Sequence, residues 1–182
     1  MKKVLLLCCV LIGFATRPIY AQMAAAVRIT PTVEDRLEVP VERDSLWSLM
    51  IDNSLVSQLS GGYVLSIENK DNIAPILREV KLQDGTIREE LLSQFEVQNR
   101  FYVSRFKDSS LPKGIKSVQL AVFAREKKEE SAEIVWDVNI DGEKDAKELL
   151  RQQMTAEVQA YKAGFTKNLK AKSQTVPMMR MQ

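Results

Sequence analysis

"AEIVWDVNIDGEKDAKELLRQQMTAEVQAYKAGFTKNLKAK" (132–172) holds two hydrophobic periods, one after the other. Ala132, Ile134, Trp136, Val138 and Ile140 alternate with Glu133, Asp137 and Asn139, which puts the apolar set on one face of a strand. From about Asp145 to Lys172 the period changes. Leu150, Met154, Val158, Tyr161, Phe165 and Leu169 recur at spacings of three and four, which is one face of a helix. About 27 residues at 1.5 Å each make roughly 40 Å of helix, enough to lie across a whole sheet. Gly164 interrupts it: either it permits close packing, or it only weakens the helix by about 1 kcal/mol relative to alanine.

Upstream, the chain supplies the sheet. "SVQLAVFAR" (117–125) places Val118, Leu120, Val122 and Ala124 on one face. "DGTIREELLSQFEVQNRFYVSRF" (84–106) opens on Asp84-Gly85, a tight-turn dipeptide, and reads as two strands reversing near Gln98-Asn99. "PILREVKL" (75–82) carries Ile76, Val80 and Leu82 on one face with Arg78 among them, and "YVLSIEN" (63–69) turns Tyr63, Leu65 and Ile67 inward. "TVEDRLEVP" (32–40) is a first strand whose apolar face, Val33, Leu37 and Val39, has Asp35 as its exception. Between it and the meander, Leu46, Leu49 and Met50, with Trp47 beside them, mark a short helix. Leu55, Val56 and Leu59 mark a second, ended by Gly61-Gly62. The order is strand, two short helices, six strands in hairpin succession and one long helix. The fold class is therefore α+β, a curved seven-stranded antiparallel sheet that grips a long C-terminal helix. A gap between sheet and helix is the natural ligand site.

Glu89 and Glu90 are adjacent in a strand, so one of them points toward the core. Bare alternation groups Glu89 with Ile87, Leu91, Phe95 and Val97. The alternative groups Glu90 with Leu92, and a bulge would shift the parity beyond it. Glu90 is the preferred inward residue, and the other reading is that both glutamates are solvated and the strand is a wet edge. An inward carboxylate needs a partner, for which Arg78 on the adjacent strand is the candidate.

The first residues, "MKKVLLLCCVLIGFATRPIYAQ", have the layout of a secretory signal peptide, with cleavage after Ala21. The expected organisation is a signal peptide over 1–21, a loosely ordered leader over 22–32, the domain over 33–172 and a flexible tail over 173–182. The mature protein is then periplasmic or secreted. Its chain from Gln22 has 161 residues, ample for one core. Both cysteines, Cys8 and Cys9, leave with the signal, and the sequence contains no histidine. Thiolate nucleophiles, disulfides, histidine-based triads and histidine-ligated zinc are thereby excluded from the mature chain. Of 26 basic residues, Lys2, Lys3 and Arg17 lie in the signal, leaving 23 against 24 acidic and a net charge of −1. This is not the footprint of a nucleic-acid binder.

Three stretches carry a resemblance. "VPVERDSLWSLMID" (39–52) has a strand end, a proline and a helix with Trp47 and a closing Asp52. "DGTIREELLSQFEVQNRFYV" (84–103) has the Asp-Gly turn followed by Glu90, Leu92, Glu96 and Arg100. "AEIVWDVNI" (132–140) contributes Trp136. On these the chain resembles the START-like (SRPBCC) superfamily, most closely its polyketide cyclase/dehydrase and lipid-transport branch, which shares the birch-pollen-allergen fold. It departs from that pattern at Ser104, where an aromatic is common, and at "QLSGG" (58–62).

The reading implied is an exported protein that holds a small hydrophobic or amphipathic ligand, lipid-like or polyketide-like, between sheet and helix. The residues expected at the pocket are Tyr63, Arg78, Glu90, Tyr102 and Trp136, with Met154, Val158 and Phe165 as its apolar wall. No catalytic residue, metal or cofactor is assigned. Transient membrane contact through the tail methionines is the one other partner considered, and the oligomeric state is left open. The family's name invites a cyclase/dehydrase enzyme, whose acid–base work would fall to Glu90, Tyr102 and Arg78 and would need a carboxyl with a raised pKa. An interaction protein with its core filled by Trp136 and Phe123 is the third reading.

Overall fold

The computed structural model describes residues 30–128 and 130–174. The expected signal peptide, most of the expected leader and the chain beyond 174 lie outside the described residues. The chain divides into units Met1–Thr30 and Pro31–Gln182, and the second carries every element that follows.

The order of elements is that expected. Strand β1 (Val33–Val39) leads to helix α1 (Arg43–Ile51), a 3-10 turn (Asn53–Leu55) and the short helix α2 (Val56–Leu59). The meander follows as β2 (Val64–Asn69), β3 (Ile76–Leu82), β4 (Ile87–Glu96), β5 (Phe101–Phe106), β6 (Ile115–Lys128) and β7 (Ser131–Gly142). The long helix α3 spans Lys144–Gln174, slightly beyond the expected limits. The seven strands form one antiparallel sheet in the order β1-β7-β6-β5-β4-β3-β2. Hairpin connections join every neighbour except β1, which returns beside the last strand.

The inner face carries the core. Val118, Leu120, Val122 and Ala124 of β6 are buried there with Ala132, Ile134, Trp136, Val138 and Ile140 of β7. Against them α3 sets Leu150, Met154, Val158, Phe165 and Leu169, all buried, so its expected apolar stripe faces the sheet. Asp35 breaks the apolar pattern of β1 because its carboxylate accepts from Lys162 Nζ (2.6 Å) and binds α3 to the first strand. Phe123, by contrast, lies on the outer face and stacks on Phe101 at 5.4 Å between centroids, so it does not fill the core.

Two irregularities correct the alternation read from sequence. In β2 the register shifts between Val64 and Ser66, so Val64 is fully buried while Leu65 is exposed. The expectation that Tyr63 and Leu65 share an inner face is overturned. In β4 a bulge at Ser93, between the pairs Leu92↔Ser104 and Gln94↔Val103, turns Phe95 to the same side as Glu90 and Leu92. A bulge inserts one unpaired residue and so reverses parity beyond it.

Gly164 has its physical reason. A Cβ at this position would stand 2.2 Å from the carbonyl oxygen of Leu59, so the missing side chain is what lets α3 press on the end of α2. Asn168 Nδ2 strengthens the same contact by donating to Gln58 O (3.1 Å).

Candidate ligand cavity

Sheet and α3 do not pack flush. Between them lies a cavity of about 310 Å³, within the range of small-molecule sites. Its apolar wall comes from Leu49 and Met50 of α1, Val80, Leu92, Val122, Ile134 and Trp136 of the sheet, and Met154, Val158 and Phe165 of α3. Trp136 meets Phe165 edge-on, with centroids 6.5 Å apart. Behind the wall, Trp47 of α1 packs on Phe95 (5.4 Å) and Tyr102 (6.5 Å). Exposed residues among the lining, Ile51, Asp52, Asn69 and Phe95, mark the mouth. Asp52 is fixed there, since its Oδ1 accepts from Ser54 N (2.9 Å) and caps the 3-10 turn.

The polar side of the cavity is a chain of four buried charges. Arg78 and Glu90 face each other across β3 and β4, and Arg78 donates from Nε (3.0 Å) and Nη2 (2.7 Å) to Glu90 Oε2. Glu90 Oε1 accepts from Arg88 Nε (2.8 Å). Arg88 then spans to the helix, donating from Nη1 to Glu157 Oε2 (2.8 Å) and from Nη2 to Glu157 Oε1 (2.9 Å), a bidentate pair. All four side chains are buried, Glu90 to 1 % exposure. Two cations and two anions sum to zero, which is what makes so much buried charge tolerable. Both guanidinium groups also stand over rings, Arg78 over Tyr102 (5.3 Å) and Arg88 over Phe106 (4.4 Å).

Burial by itself would push the Glu90 carboxyl up. Arg78 and Arg88 outweigh it and hold the group at about 2. Burial disfavours charge on both arginines as well, and the neighbouring carboxylates reverse this, raising Arg78 and Arg88 above the usual guanidinium range. The hydroxyls of Tyr102 and Tyr161 are pushed up, chiefly by burial, and remain neutral donors near neutral pH. Both rings are partly accessible because they face the cavity.

The residues read from sequence separate as follows. Arg78, Glu90, Tyr102, Trp136, Met154, Val158 and Phe165 all line this cavity. Tyr63 does not. It lies at a second, smaller cavity, where its hydroxyl reaches Gln153 O at 3.5 Å. Glu89 turns outward to Ser109 Oγ (2.7 Å) and Lys107 Nζ (3.2 Å). Arg100 and Glu96 also stay outside the cavity, Arg100 pairing with Asp44 of α1 at 2.8 Å. Sequence reasoning missed Arg88 and Glu157. Arg88 has the parity of Glu90, and Glu157 sits beside Val158 within the apolar stripe of α3; in both cases a charge at a core position was the available signal. Among the described residues no cluster of three acidic, histidine or cysteine side chains is placed to hold a metal, and no helix is long and apolar enough to cross a membrane.

No family model and no curated protein sequence matches the chain. Solved structures do match it. The Zhui aromatase/cyclase from a Streptomyces species superposes with a TM-score of 0.65 at 11 % identity, covering 79 % of this chain and 95 % of that one. The XoxI protein from Bacillus cereus gives 0.58 at 18 % identity, covering 74 % and 94 %. Norcoclaurine synthase from Thalictrum flavum, in complex with dopamine and hydroxybenzaldehyde, gives 0.57 at 12 % identity, covering 72 % and 83 %. At such identities the likeness is one of fold.

Proposed function

We propose that this chain, which has the helix-grip fold of the SRPBCC superfamily, is an exported carrier. It binds a small hydrophobic or amphipathic molecule, lipid-like or polyketide-like, reversibly and without turnover. The observation that carries the reading is the cavity itself: about 310 Å³ of mostly apolar space enclosed by sheet, α1 and α3. Apolar burial supplies the affinity, at roughly 25 cal/mol per Å² before the costs of association. Arg78, Tyr102 and Tyr161 are the groups on its wall that donate hydrogen bonds to a polar end of the guest.

The solved neighbours include a cyclase and a synthase, so the fold hosts catalysis as well as binding. For this chain the carboxyl that acid–base chemistry would use is Glu90, and its two arginine partners keep it ionised down to about pH 2. A carboxylate so held is a poor proton donor or acceptor near neutrality. Export rests on the sequence of residues 1–21 alone.

Native mass spectrometry of the protein isolated from its own host tests the reading. The expected result is a non-covalent small-molecule adduct that denaturation releases. A bare protein that also fails to bind an environment-sensitive naphthylamine dye would overturn it.

A further inference from the structure

The buried Arg88–Glu157 pair lines the larger cavity and also lines a second one. This second space, about 140 Å³, is bordered by the β3–β4 hairpin, the start of β4, the end of β5, the loop before β6 and the first turns of α3. Arg88, Met154 and Glu157 line both. The two spaces lie end to end along β4 and α3. On β4 the smaller takes Ile87 and Arg88 and the larger Arg88 to Phe95; on α3 the smaller takes Leu150 to Glu157 and the larger Met154 to Phe165. Each has exposed residues in its lining, Ile51 and Asn69 for one, Asp84 and Gln153 for the other. The two spaces thus meet at one wall, made by Arg88, Met154 and Glu157.

We propose that the Arg88–Glu157 pair is a partition that sets the length of guest the larger cavity accepts, and so is the determinant of ligand size. This rests on the carrier reading above. The pair reaches from sheet to helix, is bidentate at 2.8 and 2.9 Å, and is held from behind by Glu90 Oε1 and the Phe106 ring. An apolar chain growing into the cavity gains about fourfold in affinity for each methylene it buries. Pushing past the partition separates two buried opposite charges, which costs on the order of a hundredfold to a thousandfold. Offsetting that takes roughly three to five more methylenes, so the gain with length levels off at the pair.

The test uses straight-chain primary alcohols of increasing length to displace a naphthylamine dye. In the wild type, affinity is expected to rise about fourfold per methylene and then level off. The variant Arg88→Leu/Glu157→Ala removes one charge of each sign, keeps the remaining Arg78–Glu90 pair neutral, and replaces a buried ion pair with apolar groups, a change proteins often tolerate. Its affinity is expected to go on rising to longer chains. The same plateau in both proteins would overturn the partition while leaving the carrier reading intact. Failure of every alcohol to displace dye from the wild type would overturn both.

A second measurement avoids the ion pair altogether. Gln153→Trp places an indole at the smaller cavity, and long alcohols brominated at the chain end are then added. With the partition closed they quench Trp136 and spare the new indole. Quenching of the new indole in the otherwise wild-type protein would show that chains pass the pair, and would overturn the inference.

Discussion

At Glu90, burial works to neutralise the carboxyl while Arg78 and Arg88 keep it charged, and the arginines win, giving a folded value of about 2 against an ordinary 4.5. A carboxyl lowered on folding contributes stability that is fully present above about pH 4.5 and is lost as pH falls through about 2. Glu90→Gln leaves both guanidinium groups short of their shared anion, which at neutral pH should cost about 3–5 kcal/mol in urea denaturation. The gap between wild type and variant should narrow steadily on acidification below pH 4.5. A gap that stays constant down to pH 2 would mean that Glu90 is not the charged centre of the network. Arg78 was legible as its partner because the two strands are adjacent in sequence. Arg88 was less legible, since it is two residues from Glu90 on the same strand and its second partner lies on a distant helix.

Among the elements, α3 carries the argument. Its apolar stripe faces the sheet and Val158 is buried at the cavity wall, so Val158→Asp should cost on the order of 4 kcal/mol, read as a fall in melting temperature. An unchanged melting temperature would mean that sheet and helix are not packed together. Gly164 gives the finer test. By propensity alone, Gly164→Ala should stabilise a helix by about 1 kcal/mol. Here the new Cβ meets the backbone oxygen of Leu59 at 2.2 Å, and backbone cannot yield as a flexible side chain does. The net result should be destabilisation by about 1–3 kcal/mol, as for other overpacked sites. A gain in stability would show that α2 and α3 are not in close contact.

For the whole molecule, the question is what fills the space between sheet and helix. Met154→Trp puts a larger side chain where the two cavities meet, and should weaken dye binding at least about tenfold, a change of about 1.4 kcal/mol, with cooperative unfolding retained. Equal binding by this variant would move the guest to the outer surface. Export is tested by intact mass. The mature chain should begin at Gln22, carry no thiol and therefore be inert to alkylating reagents, whereas a product retaining Cys8 or Cys9 would contradict cleavage.

The sequence by itself determined the order of elements, the inner face of β6 and β7, and the stripe of α3, because each rests on a long regular period with apolar residues on one side. It also offered Arg78 as the partner of an inward carboxylate on the next strand, since hairpin neighbours pair by adjacency. Tertiary structure alone decided the rest. The bulges at Leu65 and Ser93 reversed parity in β2 and β4; a bulge in β4 is one of the readings the sequence leaves open, but only the strand pairing fixes where the unpaired residue sits. Gly164 acquired its meaning only from a carbonyl more than a hundred residues away. Glu157 stands as a charge within the apolar stripe of α3, and only the fold shows its partner, Arg88 on β4, where a buried anion is stable because a buried cation is already there.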